Sequence, residues 1–324
     1  MKVLITGASG NVGTSAVREL LAQQHRVRCF VHKLKPAGEF AGRTEVSTGD
    51  IRDAASLNAA VAGPEVVIHS AAIIPPLSEI RPDWSRSINV GGTRQVLAAI
   101  KAQPKPPRLV YVSSVAVFGR DQDAPVVRTI ADPIKPSDHY TEHKLECERL
   151  VRESGLEWTI LRLGHVVPSA LKGKDPRLMF REMFEVPLDQ PTEIIHTHDA
   201  GLALANAASS SDIWAKTLLI AGGSSCQINY GQFVKTTLNA MGIGMFPESA
   251  FSSRPYHTHW MDTTESQRLL RYQRYSFQDY ARQIAATTIT QRLFFRALRP
   301  LIRRWILQQS PHYQWKASSL RHAS

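Results

Sequence analysis

The sequence predicts an α/β protein built on a doubly wound parallel sheet, and three observations carry that prediction. The first is the opening stretch, where apolar Val3-Leu4-Ile5 runs into glycines at 7, 10 and 13. A helical pattern then begins with Val12, Ala16, Leu20 and Leu21 on one face. The second is a series of short, continuously apolar runs, the signature of strands covered on both faces: Val66-Val-Ile-His69, Leu109-Val-Tyr-Val112, Trp158-Thr-Ile-Leu161 and Thr217-Leu-Leu-Ile220. The third is the helical pattern that separates most of these runs, as βαβ connections require.

Each element can be justified in turn. Gly7 permits a tight turn after the first strand, Gly10 lets backbone approach a pyrophosphate, and Gly13 lets helix and strand pack closely. The helix N-terminus would offer free N–H groups and a partial positive charge to that anion. Arg26 to Val31 reads as the second strand, and its end decides the ribose partner. An acidic residue there would bond a 2′-hydroxyl, whereas Val31-His32-Lys33-Leu34-Lys35 suits a 2′-phosphate, so NADP is expected over NAD. Val46 to Asp50 ends a third strand, and Asp53 can cap a helix from Ala54. The fourth strand, from Val66, runs into small residues at Ser70-Ala71-Ala72, leaving room for a ligand across the sheet edge. Residues Ile73 to Trp84, rich in proline and bulky apolar groups, read as an irregular, substrate-facing loop.

Ile88 to Thr93 opens a helix running to about Lys101. Leu109 to Ser114 is the fifth strand, expected to continue through Gly119, with a polar loop over 120–138. Tyr140 to Glu153 is helical, with Tyr140, Lys144, Glu148 and Arg152 spaced by four on one face. Trp158 to Arg162 is the sixth strand, and Gly164 to Pro191 an irregular insertion. Thr192 to His196 leads to an apolar helix, Ala200 to Ala208, that Asp199 would cap. Thr217 to Ala221 is the last strand, followed by a helix from about Tyr230 to Met241. The expected organisation is a dinucleotide-binding body over 1–165 to which 192–222 returns, a small substrate lobe from 166–191 and 223–280, and a basic helical tail over 281–324.

Composition narrows the class. A hydrophobic fraction of 43% over 324 residues is ordinary for a globular chain. Cys29, Cys147 and Cys226 are widely spaced and form no C-x-x-C pair, which fits a reducing, cytoplasmic setting. No leader is read at Met1, and no run approaches the roughly 18 apolar residues of a membrane span. The net charge of +11 is concentrated at one end: no acidic residue follows Asp279, while seven arginines and Lys316 do. Nucleic acid is not expected as a partner, because no reading motif accompanies the basic residues.

The chemistry resides in Ser114, Tyr140 and Lys144. A free phenol titrates near 10, and a neighbouring ammonium is expected to lower that value toward the working range. Ser114, at a strand end, could bond a substrate carbonyl oxygen. Together they would move a proton while hydride passes to or from a nicotinamide.

Taken together, Thr6-Gly7-x-x-Gly10-x-x-Gly13, Asp50-Ile51, His69-x-Ala-Ala72, Asn89-Val-x-Gly-Thr93, Ser113-Ser114-x-x-x-x-Gly119 and Tyr140-x-x-x-Lys144 resemble the extended short-chain dehydrogenase/reductase family in order and spacing. The resemblance covers about residues 1 to 240. It implies a Rossmann fold, Tyr140 as acid/base, Lys144 as its partner and ribose ligand, Ser114 as carbonyl polariser and Asn89 as support for the relay. It also implies cofactor contacts from Gly7, Ser9, Gly10, Asn11, Val12 and Gly13, from His32 and Lys33, from Asp50 with Ile51 at adenine, and from Ala71 and Ala72. Arg162-Leu163-Gly164-His165 departs from the Arg-Pro pattern of nucleotide-sugar members. Ser114-Val115-Ala116 lacks the Asp-Glu pair of sugar dehydratases. The irregular apolar residues at 73–77 and near Met179 and Phe180 then favour an apolar ketone, aldehyde or secondary alcohol. An epimerase that retains its cofactor is the alternative, and a non-catalytic NADP-binding protein is disfavoured by the intact Ser-Tyr-Lys set.

Two further patterns stay open. His196-x-His198 and His257-x-His259 could offer imidazoles to zinc, but leading into a helix is the better reading of the first pair, and no metal site is expected. Residues 289–307 form a basic amphipathic segment with Pro300 inside it. It would either lie on an anionic membrane surface or dock on the body or on a second copy of the chain, as in a homodimer.

Overall fold

The computed structural model describes residues 1–33, 38–120, 125–167 and 175–313. The chain begins β1 (Lys2–Thr6), α1 (Asn11–Ala22), β2 (Arg26–Val31), β3 (Glu45–Thr48), α2 (Ala54–Val61), β4 (Val66–His69), α3 (Leu77–Ile80), α4 (Pro82–Arg86) and α5 (Gly92–Lys101). It continues with β5 (Arg108–Ser114), β6 (Val127–Arg128), α6 (His139–Arg152), β7 (Trp158–Leu163), β8 (His165–Val167), α7 (Pro176–Phe184), β9 (Pro191–His196), α8 (Thr197–Ser209) and β10 (Thr217–Ile220). The remainder is β11 (Gln227–Asn229), α9 (Tyr230–Ala240), β12 (Trp260–Met261), α10 (Thr264–Leu270), α11 (Phe277–Thr287), α12 (Ile289–Ala297) and α13 (Arg299–Leu307).

Seven strands form one sheet in the order β10-β7-β5-β4-β1-β2-β3, every neighbouring pair parallel. The order reverses direction between β1 and β4, which opens a crevice at the carboxyl edge of the sheet. Period-two alternation sends side chains to two helical layers. Val3 and Ile5 of β1, Val66 and Ile68 of β4, and Val110 and Val112 of β5 share a core with α1 and α8. Leu4, Val67, Leu109 and Tyr111 point the other way, against α2, α5 and α6. The sheet is therefore doubly wound, as the apolar runs predicted.

The structure corrects several local readings. Residues Val115–Phe118 form a 3-10 turn instead of extending β5. Gly119 follows at φ +73°, and a Cβ there would lie 1.7 Å from the Lys135 carbonyl oxygen, so the turn closes against backbone. The proline-rich stretch after residue 73 contains α3 and α4, each too short to show a helical period. Asp199 does not cap α8; the imidazole of His196 does, accepting from the His198 N–H at 3.3 Å. Asp199 instead accepts from the backbone N–H groups of Arg274 and Tyr275, both at 2.9 Å.

The chain divides into two compact units. The first comprises Met1–Ser169, Pro191–Gln227 and His257–Tyr280, and the second Ala170–Gln190, Ile228–Tyr256 and Ala281–Ser324. This division differs from the one read in the sequence, which kept 223–280 together and left 281–324 as a tail. The second unit has its own aromatic core, in which Phe184 meets Phe246 and Phe251 edge-on and Phe180 meets Trp305. Pro300 starts α13. Arg299 and Arg303 donate to the Ile243 carbonyl, both at 3.0 Å, and Ile306 is fully buried. These two arginines are therefore anchored to backbone, Arg303 half-buried and Arg299 still exposed. Among the described residues, no helix is long and apolar enough to cross a membrane.

Candidate functional site

The glycine loop follows β1 directly. Gly7 adopts φ +73°, a left-handed conformation that favours glycine, and a Cβ there would come within 2.8 Å of the Ala71 nitrogen. At Gly13 a Cβ would stand 2.1 Å from the Gly7 carbonyl oxygen, so α1 can seat on the loop only without one. Gly10 is the N-cap of α1 and supplies no side-chain cap, and the first turn holds no acidic residue. Ser9, Gly10 and Asn11 are exposed, and Val12 is half-buried. The unsatisfied N–H groups at this terminus therefore face an accessible rim, which fits an anionic diphosphate.

Beneath the loop lies a chain of buried hydrogen bonds. The Thr93 hydroxyl donates to the Asn89 carbonyl at 2.6 Å, so the His69 Nε2–H must be the donor across 3.0 Å to Thr93. Nδ1 of His69 is then the acceptor for the Thr6 hydroxyl at 2.7 Å, and the Ala71 N–H donates to Thr6 at 3.3 Å. Burial first, and the Lys144 charge second, push His69 down to about 3, which keeps it neutral as this chain demands. Ala71 and Ala72 are half-buried at the strand end.

At the far edge, His32 and Lys33 are exposed after β2, and Lys35 lies outside the described residues. No carboxylate follows the strand directly, but Asp50 approaches His32 at 3.8 Å. Arg52 grips that carboxylate through Nε at 2.9 Å and Nη2 at 2.6 Å, and these bonds hold Asp50 down at about 2. Arg52 was not singled out from the sequence; its place two residues after Asp50 was the available signal. Ile51 is buried against the position where Gly92 lacks a side chain.

Helix α6 brings the proposed relay together. Asp138 and Thr141 form a capping box at its start. The Ser114 hydroxyl neighbours the Tyr140 phenol and favours its ionised form. Lys144 lies one turn further on, only 4% exposed, its Nζ 5.8 Å from the Tyr140 ring centre and donating to the Val112 carbonyl at 2.7 Å. Burial lowers Lys144 to about 8. The expected depression of Tyr140 is not found: burial raises its phenol well above 10, outweighing the opposing influence of Ser114. Asn89 is also placed differently from expectation. Its amide accepts from the Ile73 N–H at 2.7 Å and donates to the Ile73 carbonyl at 2.9 Å, fixing the start of the 73–86 segment.

A second buried group was missed in the sequence. Ser113 shares the phase of Leu109 and Tyr111, and Arg162 is its register partner on β7. Both point toward α6, where fully buried Glu148 receives Ser113 Oγ at 2.7 Å and Arg162 at 2.9 and 2.8 Å. Burial opposes its charge, but the Arg162 bonds prevail and hold Glu148 below the usual carboxylate range. The signal was there: Glu148 continues the four-residue line of Tyr140 and Lys144. By contrast, Met179 and Phe180 lie on α7 in the second unit's own core, not on a pocket loop. Among the described residues no group of three or more His, Cys, Asp or Glu side chains could hold a metal.

This geometry meets the comparisons at the family level. A family model described as the NAD dependent epimerase/dehydratase family matches residues 3–185. The chain belongs to that family. Its motifs place this epimerase/dehydratase-family chain within the extended short-chain dehydrogenases/reductases. It is 34% identical over 192 residues to a 3-beta-hydroxysteroid dehydrogenase of Mycolicibacterium neoaurum, covering 57% of this chain and 51% of that protein. It is likewise 34% identical over 203 residues to a 3 beta-hydroxysteroid dehydrogenase/Delta 5→4-isomerase of Mycobacterium tuberculosis, with 60% and 53% covered. The chain thus spans about half the length of the curated relatives it matches. Among solved structures, a short-chain dehydrogenase/reductase superfamily protein of Agrobacterium tumefaciens with bound NAD superposes at a TM-score of 0.74 and 20% identity, covering 92% of this chain and 100% of that one. UDP-glucose 4-epimerase of Thermotoga maritima gives 0.72 and 18%, covering 89% and 98%. At these identities the superpositions speak to the fold.

Proposed function

We propose that this chain is an NADP-dependent oxidoreductase that interconverts a carbonyl and a secondary alcohol on an apolar substrate. The observation that carries the reading is the convergence of Ser114, Tyr140 and Lys144 at the carboxyl edge of the sheet, beside a glycine loop shaped for a diphosphate. A nicotinamide cofactor, when bound, supplies or accepts the hydride. Gly7, Gly10 and Gly13 with the α1 N-terminus would hold its diphosphate, and Ala71 and Ala72 would line its path. Ile51 would lie at adenine, with Asp50 beside it.

In the reducing direction the Tyr140 hydroxyl donates its proton to the carbonyl oxygen while Ser114 holds that oxygen in place. A phenol raised by burial keeps its proton until the oxygen beside it becomes basic. Lys144 stands one turn away as the positive charge that stabilises the resulting phenolate. In the oxidising direction the same groups work in reverse, with Tyr140 taking the proton of the alcohol.

His32, Lys33 and the Asp50-bound Arg52 support the 2′-phosphate reading, because the carboxylate nearby is already paired with a cation. The steroid dehydrogenase relatives supply a substrate class to test first. A screen of ketosteroids, simple ketones and the matching alcohols with NADPH, NADH and their oxidised forms tests the reading. Turnover preferring the phosphorylated cofactor supports it. Tightly retained, non-exchanging cofactor with inversion of a sugar hydroxyl would move the assignment to an epimerase.

A further inference from the structure

Between β4 and α5 the chain makes a compact double turn, and its two sides differ in character. The inner side is polar and fully engaged. Ser78 and Ser85 are completely buried, and the Ser85 hydroxyl lies between the Pro82 carbonyl at 2.9 Å and the Ser78 carbonyl at 3.2 Å, closing α4 onto α3. Glu79 extends from the same turn to the start of α6, where its carboxylate accepts from the His139 N–H at 3.1 Å and the Tyr140 N–H at 3.2 Å. The Ser78 hydroxyl donates to the same carboxylate at 2.8 Å. At the other end, the Asn89 amide holds Ile73 by both its backbone groups.

The outer side is apolar and uncovered. Helical hydrogen bonding begins where the Ser78 N–H meets the Ile74 carbonyl at 3.2 Å, and it continues from Arg81 to Leu77 at 3.0 Å. The side chains three apart along this turn, Ile74, Leu77 and Ile80, are 49%, 41% and 58% exposed. Single exposed aliphatics need no explanation, but Leu77 and Ile80 lie three apart on α3 with Ile74 just ahead of that helix, and a carboxylate of the same helix holds the segment to the helix start that carries Tyr140, so together they form a directed surface.

We propose that residues 73–86 are the substrate-selecting element, with Ile74, Leu77 and Ile80 contacting a flat apolar substrate and Glu79 acting as the positioning residue that ties this wall to Tyr140. The inference rests on the catalytic reading of Tyr140 given above. Glu79 acts through the backbone of α6: its carboxylate satisfies two N–H groups that a helix start leaves free, and favours the positive end of the helix dipole. The wall and the reacting hydroxyl therefore keep one spacing, which orientation of a rigid substrate demands.

The test compares Leu77→Ser with Ile80→Ser as a double variant, Glu79→Ala and Glu79→Gln. Pregnenolone serves as the apolar alcohol and cyclohexanol as the small one, with NADP affinity measured separately. The double variant should raise KM for pregnenolone at least about tenfold, leaving KM for cyclohexanol and NADP affinity unchanged. Glu79→Ala should lower kcat about tenfold with NADP affinity unchanged, and Glu79→Gln should recover most of that loss, since its amide oxygen still accepts an N–H bond. Equal losses for both alcohols, or Glu79→Gln as poor as Glu79→Ala, would overturn the inference. So would an unaltered KM accompanied by conversion of a dimer to a monomer, which would make the wall an interface between copies. If the unaltered chain oxidises neither alcohol, the catalytic reading fails by itself. Pregnenolone binding, followed by intrinsic fluorescence, then decides the wall: binding lost in the double variant retains it, and no binding by the unaltered chain rejects it.

Discussion

The two helix starts at the site, those of α1 and α6, are built in opposite ways. Helix α1 has glycine at its N-cap, no side-chain cap and no carboxylate in its first turn. Helix α6 carries the Asp138–Thr141 box, and Glu79 adds a second carboxylate. Both starts present free N–H groups and the positive end of a dipole. At α6 the protein satisfies them itself, which fixes the first turn of the helix, where Tyr140 follows His139. At α1 they are left for a ligand's negative charge. The difference separates a binding terminus from a positioning terminus within one sheet edge.

Exchanging the caps should break this division most severely. Gly10→Asp places a carboxylate where the diphosphate is expected; the backbone at φ −76° and ψ 168° accommodates a side chain, though its Cβ would lie a tight 3.2 Å from the Gly7 carbonyl oxygen. Cofactor affinity should fall about 100-fold or more through like-charge repulsion, with the melting temperature little changed. The reciprocal Asp138→Ala should cost about 1 kcal/mol of stability and lower kcat several-fold, while cofactor affinity stays unchanged. Titration calorimetry and thermal melts on the two variants separate the outcomes.

A smaller effect tests the electrostatics of α6. Lys144 titrates at about 8 in the folded chain, against an ordinary value of 10.5. Between those values the unfolded chain binds more protons, so stability rises with pH across the window and the cost of burying the ammonium is fully present below it. Lys144→Met should remove that rise from melting curves taken between pH 8 and 10.5. An unchanged pH slope would mean that the ammonium is not desolvated.

What was legible in the sequence follows the same physical line. The first unit could be read because continuous apolar runs and glycines at 7, 10 and 13 encode buried parallel strands and a turn that excludes side chains. Tyr140 and Lys144 could be paired because four residues make one helical turn. Glu79 could not be found, since a four-residue helix has no period and its partners at 139 and 140 are backbone groups distant in sequence. Arg162 was noticed only for the pattern around it, because its link to Ser113 depends on strand register. The basic amphipathic pattern of 289–307 left open whether its arginines meet a membrane or protein, and two of them bond the Ile243 carbonyl. A charge pattern records which residues share a face and not what that face meets.

The most direct test of the central claim is Tyr140→Phe, assayed for cofactor binding and for turnover of a substrate found in the screen. Removing one hydroxyl leaves the glycine loop, Lys144 and both helix starts in place. NADP affinity should stay within about twofold of the unaltered chain, and kcat should fall about 1000-fold or more. Undiminished turnover would contradict that claim.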